Sequence, residues 1–234
     1  PDDRLGLYFA CAHPALKPED RVAMTLRFVA GLATPEVAHA LLVPIPTMQQ
    51  RITRAKKRIR TTGIPFDVPR AEDLPERLAG VLRVVYLLYA EGFARSSGDV
   101  HVRDDLTAEA IRLARLLRRL MASAEVTGLL ALLLLTEARR PARMSADGRP
   151  VPLADQDRRL WDPRFIEEGI GLAEVAAGGT GAGSYAIQAA IAALHAEADS
   201  FEATDWPQIA VLYGMLERLE PSPLVRLART VALG

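Results

Sequence analysis

The chain has 234 residues, half of them apolar and a quarter charged, enough to bury the core of one large domain or two small ones. A single cysteine, Cys11, excludes an intrachain disulfide and a cysteine-based metal cage, and the longest apolar run, Leu129 to Leu135, is far short of the ~20 residues a membrane-crossing helix needs. The net charge of zero hides an asymmetry, because residues 1–60 carry a net of +5 and the remaining 174 carry −5.

These features predict a reducing, cytoplasmic setting, no membrane partner, and a basic module joined to a mildly acidic one. Pro1 precedes a helical pattern with no initiator Met and no signal-peptide layout, so the chain reads as a piece of something longer. Apolar spacing of three and four recurs from end to end and period-two alternation is almost absent, so the expected fold is all-α.

In chain order, the first helical pattern covers Asp2 to Ala12, with Leu5, Tyr8, Phe9 and Ala12 on one face and His13-Pro14 as its stop. A second starts at Pro18-Glu19-Asp20, where proline suits the first turn and carboxylates complement the helix dipole. Val22, Leu26 and Val29 are its apolar face, and Gly31 closes it. Thr34 is the expected N-cap of a third helix, which puts the capping-box position at Val37 and predicts no box. Val37, Ala38 and Leu41 form its buried face, and the small Ala38 lets the next helix approach. After the turn Leu42-Val43-Pro44-Ile45, a fourth helix begins at about Pro46. Met48, Ile52, Ala55 and Ile59 recur as the stripe that holds it down, leaving Gln49, Gln50, Thr53, Arg54 and Lys57 outward.

Residues 34–60 thus have the form of a helix-turn-helix whose second helix grows steadily more basic, with Lys or Arg at 51, 54, 56, 57, 58 and 60. A surface helix is often charged merely for solvation. Here the charge follows a short helix, a tight turn and a compatible internal stripe, which favours DNA. Gln49 and Gln50 have the groups for bidentate bonds to adenine edges, and Arg51 or Arg54 for guanine or phosphate. Lys56, Lys57, Arg58 and Arg60 suit phosphates, setting register without reading sequence.

Gly63 to about Leu74 carries Pro65 and Pro69 with no helical period and reads as a linker, dividing the chain into a DNA-binding domain 1–62, a linker 63–74 and a helical-repeat domain 75–234. Helices resume at 75–95, 104–122 and 124–139. An irregular stretch follows, with Asp147-Gly148 marking a tight turn and a short hairpin. Pro163 opens a helix to about Ala177, the run GGTGAG from 178 to 183 interrupts, and helices cover 184–198, 205–219 and 222–233. Helix pairs of this size joined by short loops are the form of a repeat array. Trp206, Ile209, Ala210, Tyr213, Leu216 and Leu219, followed by Pro221, are similar to one tetratricopeptide unit running into the next.

Residues 2–60, above all RVAMTLRFVAGLATPEVAHALLVPIPTMQQRITRAKKRIR, resemble region 4 of a bacterial sigma-70-type factor of the extracytoplasmic-function class. The resemblance implies that the second helix reads the −35 promoter element and that the RNA polymerase core is a partner. It places Gln49, Gln50, Thr53 and Arg54 where base readers and near-base phosphate contacts lie, with Arg51 beside them. The sequence departs from the family at Leu42, where glycine is common. A leucine at positive φ would cost about 1–2 kcal/mol, which predicts a differently built turn. Residues 75–234, through LYAEGFARSSGD, AEAIRLARLL, ARRPAR, LADQDRRLWD, YAIQAAIAALHA and TDWPQIAVLYGMLERLEPSPLVRLARTVA, resemble the C-terminal extension of one subgroup of these factors, often called tetratricopeptide-like. Region 2, which melts the −10 element in that family, has no counterpart here, which implies a chain without promoter-melting capacity.

GGTGAG has no preceding strand and no following P-loop lysine, so it reads as a flexible helix connector. His13, His39, His101 and His195 have no cysteine or paired carboxylate at metal spacing, and Cys11 reads as a small buried hydrophobe. Glu91, Arg139, Arg143, Asp155, Asp157, Arg158, Trp161, Tyr185, Gln188 and His195, together with Glu109 and Arg140, are polar residues set among apolar tail helices. They are read first as internal ion pairs that fix packing. The first ten are also the candidate site for a regulatory protein. No nucleophile with its base is legible, so no catalytic residue and no cofactor are expected. Two functions remain open: a transcription initiation factor fragment whose tail regulates it, or a helical-repeat binding module whose helix-turn-helix is a docking surface.

Overall fold

A computed structural model describes residues 3–64, 67, 69–70, 72–94 and 104–234, with the side chains of Asp3, Arg4, Leu5, Tyr8, Leu74, Pro75, Glu76, Glu91, Ala94, Asp104 and Asp105 left undescribed. Among the described residues the chain is all-α. Its helices are α1 (Asp3–Cys11), α2 (Pro18–Phe28), α3 (Thr34–Ala40), α4 (Ile45–Thr62), α5 (Leu74–Ala94), α6 (Asp104–Leu120), α7 (Ala124–Ala138), α8 (Pro163–Ala177), α9 (Ser184–Glu197), α10 (Trp206–Leu219) and α11 (Pro223–Ala232). The hairpin expected at Asp147-Gly148 is reduced to one antiparallel bridge between Met144 and Pro150, with Gly148 turning at φ +77.

Local chemistry sets many of these ends. Ser123, Asp162, Asp205 and Ser222 each accept a backbone N–H of the first turn of α7, α8, α10 and α11, and in the last three a proline follows within the first two helical positions. Gly63, left-handed at φ +64, ends α4. α2 stops at Phe28, one residue short of Val29, which is only half-buried; Leu32 fills the core instead.

The chain divides into two compact units, Pro1–Phe93 with Asp104–Ala110, and Ala94–Arg103 with Ile111–Gly234. In the first, α2 packs on α1, α3 and α4, and α3 on α4, around Phe9, Leu26, Leu32, Val37, Met48 and Ile52. α5 belongs to this unit by packing. Its Val81, Val85 and Leu88 are buried, and a Cβ on Gly80 would meet Ala12 Cβ at 3.8 Å and the Arg21 guanidinium at 3.7 Å. The first unit therefore runs past residues 63–74.

In the second unit α7 is apolar on every side and buried accordingly, with α8 and α9 both packed on it. The α7 and α9 backbones touch: a Cβ on Gly128 would fall 2.6 Å from the Cα and N of Ala186. From there each helix packs on the one before it, α10 on α9 and α11 on α10, around Ile187, Ile191, Ile209 and Leu216.

Candidate nucleic-acid interface

α3 starts one residue earlier than its sequence suggests. Its N-cap is Ala33, so the third helical position is Glu36, not Val37, and the Glu36 carboxylate accepts the Ala33 N–H at 2.6 Å. This is half of a capping box, since the alanine side chain has no acceptor to return. The turn is also corrected. Leu42 adopts φ +53, Val43 N–H donates to Ala38 O at 2.9 Å, and Leu42 N–H donates to His39 O at 3.1 Å. These two bonds and the left-handed residue make a Schellman ending, with leucine where glycine is usual. The turn has the ordinary build, at the steric cost of its side chain. Leu42 is 91 % exposed, so nothing further opposes it.

α4 then begins at Ile45 with Pro46 in its first turn. Met48, Ile52, Ala55 and Ile59 are buried, matching the expected stripe. Helical spacing divides the rest. Gln50, Thr53, Arg54 and Lys57 lie opposite the stripe and are exposed, and Gln49, Gln50, Thr53 and Arg54 line a shallow open concavity of about 400 Å³. The Thr53 hydroxyl donates to Gln49 O at 2.9 Å and is thus tied to its own helix.

The remaining basic residues stand on the flanks. On one side Lys56 Nζ sits 5.0 Å above the Phe28 ring, which Arg27 also overlies at 5.4 Å. Lys56 and Arg60 rim an apolar cavity of about 380 Å³ lined by Leu7, Cys11, Met24, Phe28 and Ile59. Burial pushes the Cys11 thiol up to about 11, against a hydrogen bond with Thr25, so it stays protonated and inert. On the other side Arg51 Nε lies 3.9 Å from Asp20 Oδ1, with both side chains 19 % exposed. Arg58 and Arg54 line a polar cleft of about 410 Å³ with Lys17, Glu19, Asp20 and Arg51. Burial, then Glu19, push the Asp20 carboxyl above its ordinary value, against the pull of Arg51, Arg54 and Lys17.

In the tail, four of the ten candidates come together. Arg158 Nη1 donates to His195 O at 2.6 Å and Ala198 O at 2.8 Å, closing the C-terminus of α9. Its guanidinium lies 4.6 Å from the Trp161 ring centre, and that of Arg139 lies 5.6 Å from the same ring. Burial first, then Arg139 and Arg158, push His195 down to about 4. Asp157 is half-buried and tied to Arg159, Asp155 stands exposed in a short 3-10 turn, and Tyr185, Gln188 and Arg143 are half-buried. The Glu91 side chain and His101 lie outside the described residues. Sequence reading missed Asp20, Phe28 and Trp206, whose ring meets His195 edge-on at 5.3 Å. It missed Glu125 too, whose bonds to α9 no local pattern announces.

Against known proteins, residues 7–59 match the family described as "Sigma-70, region 4", and residues 77–177 match a family of unknown function (DUF6596). The "Uncharacterized protein R00370" of Rhizobium meliloti (strain 1021) is 50 % identical over 233 residues, covering 99 % of this chain and 55 % of its own length. The chain thus spans about half the length of the curated relative it matches. No solved structure matches it. The helices that build the basic face, α1 to α4, are therefore the part of this chain that is similar to sigma-70 region 4.

Proposed function

We propose that this chain is part of a transcription initiation factor of the sigma-70 type, extracytoplasmic-function class, in which residues 1–62 bind the −35 promoter element and the RNA polymerase core. What carries the reading is the coincidence of the region 4 match with a helix-turn-helix whose second helix turns an apolar stripe inward and Gln49, Gln50, Thr53, Arg54 and Lys57 outward. Lys56, Arg58 and Arg60, exposed on its flanks, suit phosphates, and Arg51 joins them when released from Asp20. Residues 75–234, beyond a functional boundary at 63–74, form a tetratricopeptide-like extension that regulates this binding through a partner protein. Exposed Val211, Met215 and Leu219 on α10 and Leu224, Leu227 and Val231 on α11 support that clause, because apolar stripes left in water favour a protein contact. The factor works in the cytoplasm, where DNA and polymerase are.

The test is selection of duplexes from a random pool by the full chain, followed by affinity measurement across a salt series. Enrichment of one motif and a log–log salt slope that counts several phosphates support the proposal. Absence of both sinks it.

A further inference from the structure

We infer that Asp20 stands in for a DNA phosphate, occupying Arg51 in the free protein and competing with the duplex for it. The inference rests on the DNA-binding role proposed above, and its geometry is independent of which bases are read.

Arg51 lies on the flank of α4 next to Arg58 and Arg54, on the side of the helix where a backbone strand would run if the opposite face entered the major groove. Asp20 meets it at 3.9 Å, which is charge attraction without a hydrogen bond, so the arginine is held but readily exchanged. The carboxylate belongs to the first turn of α2, where Glu19 and Asp20 face the positive end of the helix dipole, and swinging it away would weaken that attraction. The cleft it shares with Lys17, Glu19, Arg51, Arg54 and Arg58 has four cations against two carboxylates. A phosphate that enters must displace Asp20 from Arg51 and approach a like charge. Asp20 thus sets how many phosphates the protein neutralises and how strongly it holds any duplex, while Gln49 and Gln50 contact the bases unaffected.

The experiment uses the full 234-residue chain with two labelled duplexes, one of arbitrary sequence and one selected from the random pool, by electrophoretic mobility shift from 50 to 300 mM NaCl. Asp20→Asn should bind both duplexes about 2–5-fold more tightly, the range of a weak ion pair near the surface, and should steepen the log–log salt slope by about 0.9, one phosphate. In an Arg51→Gln background the same change should lose its slope effect and at least half of its gain. Asp20→Ser is read in the same way should the asparagine variant unfold early. Unchanged affinity and slope in a folded Asp20→Asn chain overturn the inference, as does a gain that survives intact beside Arg51→Gln, which would mark a bulk charge effect. A wild-type chain that binds neither duplex overturns this inference and the proposed function together.

Discussion

Glu125 Oε1, in the first turn of α7, lies 3.0 Å from the backbone nitrogen of Gly183, 58 residues further along the chain. The same oxygen accepts the Ala186 N–H at 3.1 Å, and Oε2 accepts that of Tyr185 at 3.3 Å. α9 has no side-chain cap of its own, so a carboxylate from another helix satisfies its first turn and faces the positive end of its dipole. Glycine at 183 is what admits it, since a Cβ there would fall 2.8 Å from Glu125 Cδ. Glu125→Ala should cost about 2–4 kcal/mol through bared N–H groups, and Glu125→Gln about half as much. Urea unfolding followed by far-ultraviolet circular dichroism measures both; a change below about 0.5 kcal/mol would show that water caps α9 equally well.

Leu42 predicts the opposite sign. Leu42→Gly removes the Cβ that a left-handed residue must accommodate and should stabilise the first unit by about 0.5–1 kcal/mol, the strain relieved less the entropy glycine adds. Thermal unfolding of the two chains side by side decides it. A destabilised glycine variant would mean that the leucine makes contacts its exposure does not suggest.

On the reading face, Gln50 and Lys57 should separate by kind. Gln50→Ala is expected to relax preference at one base position, costing about 1–3 kcal/mol on the selected duplex and little on others. Lys57→Ala is expected to weaken every duplex alike and to shallow the salt slope by about 0.9. Equal, sequence-blind losses from both would remove Gln50 from the base-reading set.

His195 carries a pH dependence. Its folded value of about 4 lies below the ordinary 6.5, so the unfolded chain takes up a proton first as the solution is acidified. The stability tied to the neutral ring is complete above about pH 6.5 and is lost between there and pH 4, by about 3 kcal/mol. His195→Gln should flatten the unfolding free energy across that window. A wild-type profile already flat from pH 7 to 4 would count against a buried neutral histidine.

How much of this was legible follows from the range of each interaction. The stripe Met48, Ile52, Ala55, Ile59 is one helix obeying its own period, so the buried and outward faces of α4 could be read directly. The start of α3 could not, because polar caps are the rule and Ala33 is not one; Glu36 reveals itself only once the cap is placed. Leu42 was misjudged because sequence gives the strain but not the open surroundings in which it is borne. GGTGAG joins α8 to α9, as its composition predicts, yet Gly183 is there for close approach rather than flexibility. Nothing local distinguishes the leucine-rich α5, which belongs to the first unit and meets Ala12 and Arg21 at Gly80, from the helices of the second unit. The cluster of Arg158, Trp161 and His195 shows in the sequence only as polar residues among apolar ones, while Trp206 against that histidine has the spacing of a repeat residue.

The two tryptophans of the chain, Trp161 under its arginines and Trp206 against His195 and Phe201, both belong to the second unit. Light absorbed near 295 nm, where tyrosine contributes little, is therefore re-emitted from that unit alone. The protein arrives with an optical reporter already installed there, and its emission should dim as His195 gains a proton. The helix proposed to touch DNA has no such lamp of its own.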